Sequence, residues 1–325
     1  MKYGFRQLLG VMTLLVMTMT LGQVQADYNN NMECCDYQDQ CCAAPCTNWF
    51  FCADVLYLVA DECGLEGVFG CTGIDVDVVA GVTTTAIHEH DTDPNFSWNP
   101  GFRFGVGYKD VSNCGWDVGV FWTHYYGSAR QSEKEATNTG HWGLHFDTVD
   151  TLFITDLGMG CCNFNLRPFI GIRYARINQN LDALLLTTVR SAVGSSLIES
   201  TRHDSQRYWG LGPVFGVEGD WNVGCGFGVY ANIAVATLRS SIHSMNDDTN
   251  IFTAAVNTRN GSRHMCCCDI ALDTGIGFTY EQCLCGYGVL WHAGWERHQY
   301  FDQNHMAGSG DLCLEGINFG ACVAF

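Results

Sequence analysis

The sequence predicts an all-β fold: a closed antiparallel transmembrane β-barrel of ten strands, with twelve as the alternative count. Three observations predict it. The first is the alternation in Gly101–Gly127, where Phe102, Phe104, Val106 and Tyr108 interleave with Arg103, Gly105, Gly107 and Lys109. After the turn KDVSNCG, Trp116, Val118, Val120 and Trp122 interleave with Asp117, Gly119, Phe121 and Thr123. Period two means an extended strand with two unlike faces. Here the second face is glycine with an occasional charge, and aromatics gather near strand ends, as suits lipid outside, water inside and an aromatic girdle at each interface. The second observation is composition. The 325 residues are 15% charged and 13% aromatic, with 37 Gly and 5 Pro, whereas soluble domains carry about 25% charged residues. The third is a strict alternation of long and short connections, which a soluble sandwich has no reason to keep and an outer-membrane barrel requires.

The elements follow in chain order. Lys2 and Arg6 precede the apolar run Leu8–Leu21 and the small-residue site Val24-Gln25-Ala26. Residues 1–26 therefore read as a secretory signal peptide, the run being shorter than the roughly 20 residues of a membrane span. No later stretch holds 18 consecutive apolar residues, so helical spans are not expected. Loss of the signal takes the formal charge from −18 to about −20, which argues against nucleic-acid binding and disfavours anionic ligands at long range.

Residues 27–48 form a Cys-rich segment before the barrel of residues 49–325, with Cys34, Cys35, Cys41, Cys42 and Cys46. Their spacing does not match the separated Cys-x-x-Cys pairs of structural zinc sites, so cross-links are expected rather than a metal. Trp49–Asp61 is the first strand. Glu62–Pro100 is a long connection whose His88-Glu89-His90 offers two ligands on one strand face and no third, and reads as a solvated loop tip. The Gly101 hairpin follows, then the long polar Ser128–Asp150. Thr151–Cys161 and Leu166–Asn178 flank a short turn. Gln179–Gln206 is the third long connection. Its stretch Asp182–Ile198 reads as a short helix or an extra hairpin that would narrow a pore if folded inward. Arg207–Asp220 and Gly226–Ser240 pair around Trp221–Cys225, and Ser241–Met265 is the fourth long loop. Cys267–Glu281 and Gly286–Tyr300 pair around Gln282–Cys285, and about ten residues lead to Leu312–Phe325.

Nineteen Cys in an exported chain point to disulfides in an oxidising compartment, and an odd number leaves at least one free or bonded to another molecule. Besides the N-terminal five, Cys114, Cys161, Cys162, Cys225, Cys283 and Cys285 fall at short turns and are the disulfide candidates. Cys266-Cys267-Cys268 sits at the outer end of a strand, with Cys63 or Cys71 as the partners in view.

A Cys-rich mature N-terminus, strands of the form GFRFGVGY and WDVGVFWTHYY, and a terminal Phe325 together resemble the major outer membrane porins of chlamydiae and their environmental relatives. The chain is also similar to the pore-forming major outer membrane proteins of Legionella. The match is best over Asn99–Gly127 and Phe319–Phe325. The resemblance implies a porin of the bacterial outer membrane, passing small hydrophilic solutes and cross-linked by disulfides into a rigid envelope. It implies outer-membrane lipid, the barrel-assembly machinery and disulfide-linked envelope proteins as partners, with a homo-oligomer as an open alternative, and Phe325 as the assembly signal. This chain is shorter than the main chlamydial porin, so strand number and oligomeric state do not carry over.

A pore needs a wet lumen and a charge pattern rather than a catalytic group. By alternation the pore-lining candidates are Arg103, Lys109, Asp117, Asp156, Arg167, Arg173, Asp273 and Glu296. A transverse field would follow if Arg167 and Arg173 face Asp117 or Asp156 across the lumen. No cofactor motif or metal set is read, and no enzyme is expected: His141, His145 and Asp147, or Ser200, His203 and Asp204, show no spacing that ties a nucleophile to its base. The competing reading is a structural or adhesive coat protein with a plugged barrel.

Overall fold

Alternation kept through so many strands produces a sheet with one lipid-compatible face, and the computed structural model closes that sheet on itself. It describes residues 49–63, 65, 71–79, 82–90, 95–109, 116–132, 139–158, 163–191, 194–252, 255–284, 287–306 and 309–325. Residues 1–26, expected to be a signal peptide, and the Cys-rich segment lie outside the described residues, as do Cys114, Cys161, Cys162 and Cys285. In chain order the strands are β1 (Trp49–Glu62), β2 (Cys71–Val79), β3 (Val82–His90), β4 (Asn95–Phe96), β5 (Trp98–Lys109), β6 (Trp116–Ser132) and β7 (Thr139–Thr155). They continue with β8 (Leu157–Gly158), β9 (Phe164–Ser191), β10 (Gly194–Gly224), β11 (Phe227–Phe252), β12 (Ala255–Leu284), β13 (Tyr287–Asn304) and β14 (Gly310–Ala324).

Ten of these form the wall, in the ring order β1-β5-β6-β7-β9-β10-β11-β12-β13-β14 and back to β1, every pairing antiparallel. The closing seam runs from Phe50 opposite Ala324 to Glu62 opposite Leu312. β2 and β3 do form a hairpin inside the first long connection. Among the described residues its one ladder pairing with the wall joins Asp75 to Arg190 on β9, so the count stays at ten.

Most of the expected long connections are not loops. β9 and β10 run 28 and 31 residues, β11 and β12 26 and 30. Asp182–Ile198, read as a short helix or a separate hairpin, instead continues β9 and β10 outward in unbroken register, from Asp182 opposite His203 to Ser191 opposite Gly194. His141, His145 and Asp147, assigned to a loop, lie on β7. Polar residues obscured these stretches because a strand beyond the membrane has no apolar face to maintain, and alternation fades while the backbone ladder persists.

Outward-facing aromatics mark the two interfaces. Near the chain ends Trp49 packs edge-on against Tyr108 at 5.5 Å, and Phe51 stacks on Phe325 at 5.5 Å. At the other girdle Tyr57 stacks on Trp98 at 5.4 Å and Trp98 meets Trp295 at 6.0 Å. Between the girdles Val55, Phe104, Val120, Phe215 and Phe278 are exposed. Inside, Gly105, Gly107 and Gly119 leave the wall bare so that the rings of Phe50 and Phe121 lie flat upon it; a Cβ at any of the three would overlap one of those rings.

The seam carries a bond that alternation did not reveal. Cys52 and Cys322 face each other across β1 and β14, 4.1 Å apart at Cα, and are joined as a disulfide. It spans 270 residues of sequence, and cross-links that close long loops restrict the unfolded chain most. Cys52→Ser is expected to cost about 2–4 kcal/mol, seen as a lower urea midpoint of the purified barrel in detergent under non-reducing conditions.

Candidate functional site

Inward-facing residues sort into layers along the bore. At the short-turn end lies a chamber of about 760 Å³. All eight residues singled out by alternation line it: Arg103, Lys109, Asp117, Asp156, Arg167, Arg173, Asp273 and Glu296. Near the mouth Arg167 contacts Asp117 at 3.2 Å and Glu218 at 3.7 Å, and Asn165 donates to Asp156 at 2.9 Å. Of the pairs named for a transverse field, Arg167 meets Asp117 at contact distance, while Arg173 binds Asp150 and Asp273 rather than Asp117 or Asp156.

The chamber ends on a band of charge that crosses the bore. Arg173 on β9 donates two parallel bonds to Asp150 on β7, both 2.7 Å, and reaches Asp273 on β12 at 2.6 Å. His298 lies 2.8 Å from Asp273 and 3.0 Å from Glu296. Glu296 accepts from Arg103 at 2.7 Å and from Asn318 at 2.6 Å. Arg103 also meets Asp54 at 3.3 Å, and Asp54 meets His292 at 3.1 Å. Bidentate, charge-assisted contacts of this kind are the strong class of hydrogen bond. Asp54, Asp150, His292, His298 and Asn318 were missed by sequence reasoning. Asp54 shares parity with Cys52 on β1, and the two histidines share parity with Glu296 on β13, so alternation held the signal. Asp150 was hidden by its assignment to a loop.

Beyond this band large apolar and aromatic side chains fill the bore. Leu58, Tyr125, Trp142, Leu144, Phe146, Ile177, Tyr208, Leu238, Tyr300 and Leu314 are almost fully buried and pack together inside the wall. Tyr125 donates its hydroxyl to the Leu58 carbonyl at 3.1 Å.

Above the apolar layer, on the far side of the Tyr57–Trp98 girdle, a strap closes the mouth. β13 is irregular near its outer end, where its register shifts between Tyr300 and Asn304 and Asp302 has φ 52°, and residues 303–306 turn inward. Gln206 on β10 donates to the Gln303 carbonyl at 2.7 Å and accepts from the His305 amide at 2.8 Å. Arg202 and Asn246 donate to the Met306 carbonyl at 3.3 and 3.2 Å. Gln179 on β9 donates to Gln303 and to Glu62 on β1, each at 3.0 Å. A side chain of β1 that joins one of β9 spans the ring, so no channel of water separates them. Sequence reasoning expected an ordinary ten-residue loop here.

Burial raises the Glu62 carboxyl well above its ordinary value of 4.5, only partly offset by the Gln179 hydrogen bond and reinforced by Asp61 and Asp311. Burial likewise raises Asp204, against the opposing pull of Arg202.

The remaining singled-out residues are placed as follows. Cys225 and Cys283 are disulfide-bonded. Cys266, Cys267 and Cys268 are free, with the first and last exposed on the outer part of β12. The Phe325 amide donates to the Trp49 carbonyl at 3.1 Å. His203 pairs with Asp182 at 2.7 Å and Asp204 with Arg202 at 2.6 Å, an arrangement that gives Ser200 no base. His88 and His90 lie on β3.

The family model described as Legionella pneumophila major outer membrane protein precursor matches residues 43–321. The chain belongs to this family. Membership and the closed barrel together make it a multi-pass outer-membrane protein. No curated protein matches. Among solved structures, the outer membrane protease OmpT from Escherichia coli is similar at 11% identity, covering 85% of this chain and 96% of that one with a TM-score of 0.45. OprG from Pseudomonas aeruginosa is similar at 10% identity over 84% and 96%, TM-score 0.29. Ail from Yersinia pestis is similar at 10% over 62% and 97%, TM-score 0.23. Likenesses this distant carry no activity to this family member.

Two outcomes test the layers. Arg173→Met removes the guanidinium that Asp150 and Asp273 share. Breaking a buried pair on one side typically costs about 3–5 kcal/mol, read as a lower urea midpoint in detergent. For Glu62 the folded state keeps a proton that the unfolded chain has released. The stability this gives is complete below the ordinary carboxylate range and is lost as pH rises through the elevated folded value. Unfolding midpoints should therefore fall as pH rises above the ordinary carboxylate range, by a component that Glu62→Gln removes.

Proposed function

We propose that the protein is a plugged outer-membrane barrel, a structural element of the envelope whose bore is closed to diffusing solutes. The observation that carries this reading is the apolar layer around Trp142, Phe146 and Tyr300, capped by the strap. Diffusion needs a continuous column of water, and a layer packed like a protein interior leaves none. The short-turn mouth, on the same side as both ends of the barrel wall, faces the periplasm, so the chamber is a periplasmic cup. Residues 1–26 direct export. Outer-membrane lipid covers the exposed apolar band, and the barrel-assembly machinery reads the end of β14 with Phe325. The free, exposed Cys266 and Cys268 support cross-linking to envelope proteins or to other copies of the chain. The kinship with chlamydial porins rests on strand text in Asn99–Gly127 and the chain's ending.

One observation favours the second reading, a porin for small hydrophilic solutes. The chamber is wide, charged and open at one end, and a strap whose described part is short stands near the other. Conductance across planar bilayers separates the two. The purified wild-type barrel should be electrically silent. Replacing residues 302–306 by a Gly-Ser run should leave it silent as well, because the apolar layer stays. Stepwise channels in the unaltered protein would establish the porin.

A further inference from the structure

On the outside of the wall, where β6 meets β7, three side chains converge that no part of the plugged barrel requires. His124 stands on β6, and His145 and Asp147 on β7; register sets His124 directly opposite Asp147. The Nδ1 of His124 lies 2.7 Å from Oδ1 of Asp147, and the Nε2 of His145 lies 3.1 Å from Oδ2. One potential ligand atom from each residue falls within 4.8 Å of the others. From this geometry we infer a site for a divalent transition-metal ion, Zn²⁺ in the first instance, held by two imidazoles and a carboxylate.

Three features point to a ligand rather than to an incidental cluster of polar groups. First, His145 Nε2 is shielded from solvent and makes no hydrogen bond, although it faces a carboxylate oxygen at 3.1 Å. The geometry there suits a shared cation better than a proton. Second, the rings are fixed. His145 stacks on Tyr126 with centroids 4.6 Å apart, His124 sits edge-on to Tyr126 at 4.8 Å, and Phe102 lies 4.9 Å from His124. Third, the carboxylate has an outer partner: the indole of Trp122 donates to Asp147 Oδ1 at 3.3 Å, as metal-binding carboxylates usually require.

The donor set fits the ion. Imidazole with carboxylate suits Zn²⁺ and its first-row neighbours, whereas Mg²⁺ and Ca²⁺ prefer oxygen alone. Ligand bonds of roughly 2.0–2.2 Å need the donor atoms a little farther apart than the two contacts stand, an opening of a few tenths of an ångström that χ rotation on either histidine supplies. All three side chains are partly exposed on the outer face. Three protein ligands therefore leave a fourth position directed away from the wall, for water or for an oxygen donor at the membrane surface. Arg176 stands opposite Asp147 in the β7–β9 register.

Co²⁺ is the probe, because a four-coordinate site gives it visible d–d absorption. The full chain, refolded in detergent and stripped with chelator, is titrated with Co²⁺ and then with Zn²⁺. The expected result is one equivalent of Co²⁺ that Zn²⁺ displaces, with apparent affinity weakened at least tenfold in His124→Ala and His145→Ala and unchanged in His203→Ala. Folding of each variant is checked by its heat-shifted gel mobility, and Asp147→Asn, which keeps the shape, should weaken binding in a fully folded barrel. Absorption that persists in both histidine variants, or that carries the charge-transfer band of a thiolate, would assign the ion to cysteines and overturn the site. Absence of d–d absorption in the wild type would overturn it as well.

Discussion

A backbone amide in hydrocarbon has no water to turn to, so a membrane sheet must satisfy every N–H and C=O from within and can leave no edge. The β1–β14 ladder meets that demand here. It joins the first and last strands of the wall over thirteen residue pairs, from Phe50–Ala324 to Glu62–Leu312. Once the sheet closes, one face is committed to lipid and the other to the bore. Alternation along β5 and β6 then decides which side chains compete for a narrow interior.

That competition explains the layers. Two carboxylates and a histidine from β12 and β13 and an arginine each from β5 and β9 fill the middle of the bore. Each charge has partners, because an unpaired ion at that depth would be costly to desolvate. The next turns of the same strands carry Leu, Phe, Trp and Tyr inward, and a circle of ten strands is small enough for such side chains to meet. Gln179 and Glu62 touch across it. Charge on one level and dry packing on the next give the barrel a floor at one level and a closed top above it, with the strap as its outer seal.

Much of this was legible in the chain. Phe102 to Tyr108 and Trp116 to Trp122 predicted the wall, and the same parity picked out eight chamber residues from Arg103 to Glu296. Residues whose roles depend on distant register were not legible. Gln303 and Gln206 lie 97 residues apart, and a polar segment such as residues 302–306 reads as an ordinary loop until the opposite wall is in place. Likewise His124 gains its meaning from Asp147 only through the β6–β7 ladder; on the chain these residues seemed parts of a strand and of a loop. Polar ribbons such as Asp182–Ile198 escaped for a related reason. Their pairing is carried by the backbone, and side-chain pattern says little about it.

The Cys52–Cys322 bond has a topological corollary. It makes residues 52–322 a covalent macrocycle. With the bond in place, β1 and β14 stay tied at this pair even where their ladder opens. Until that bond is reduced, even a fully melted chain remains a loop of these residues.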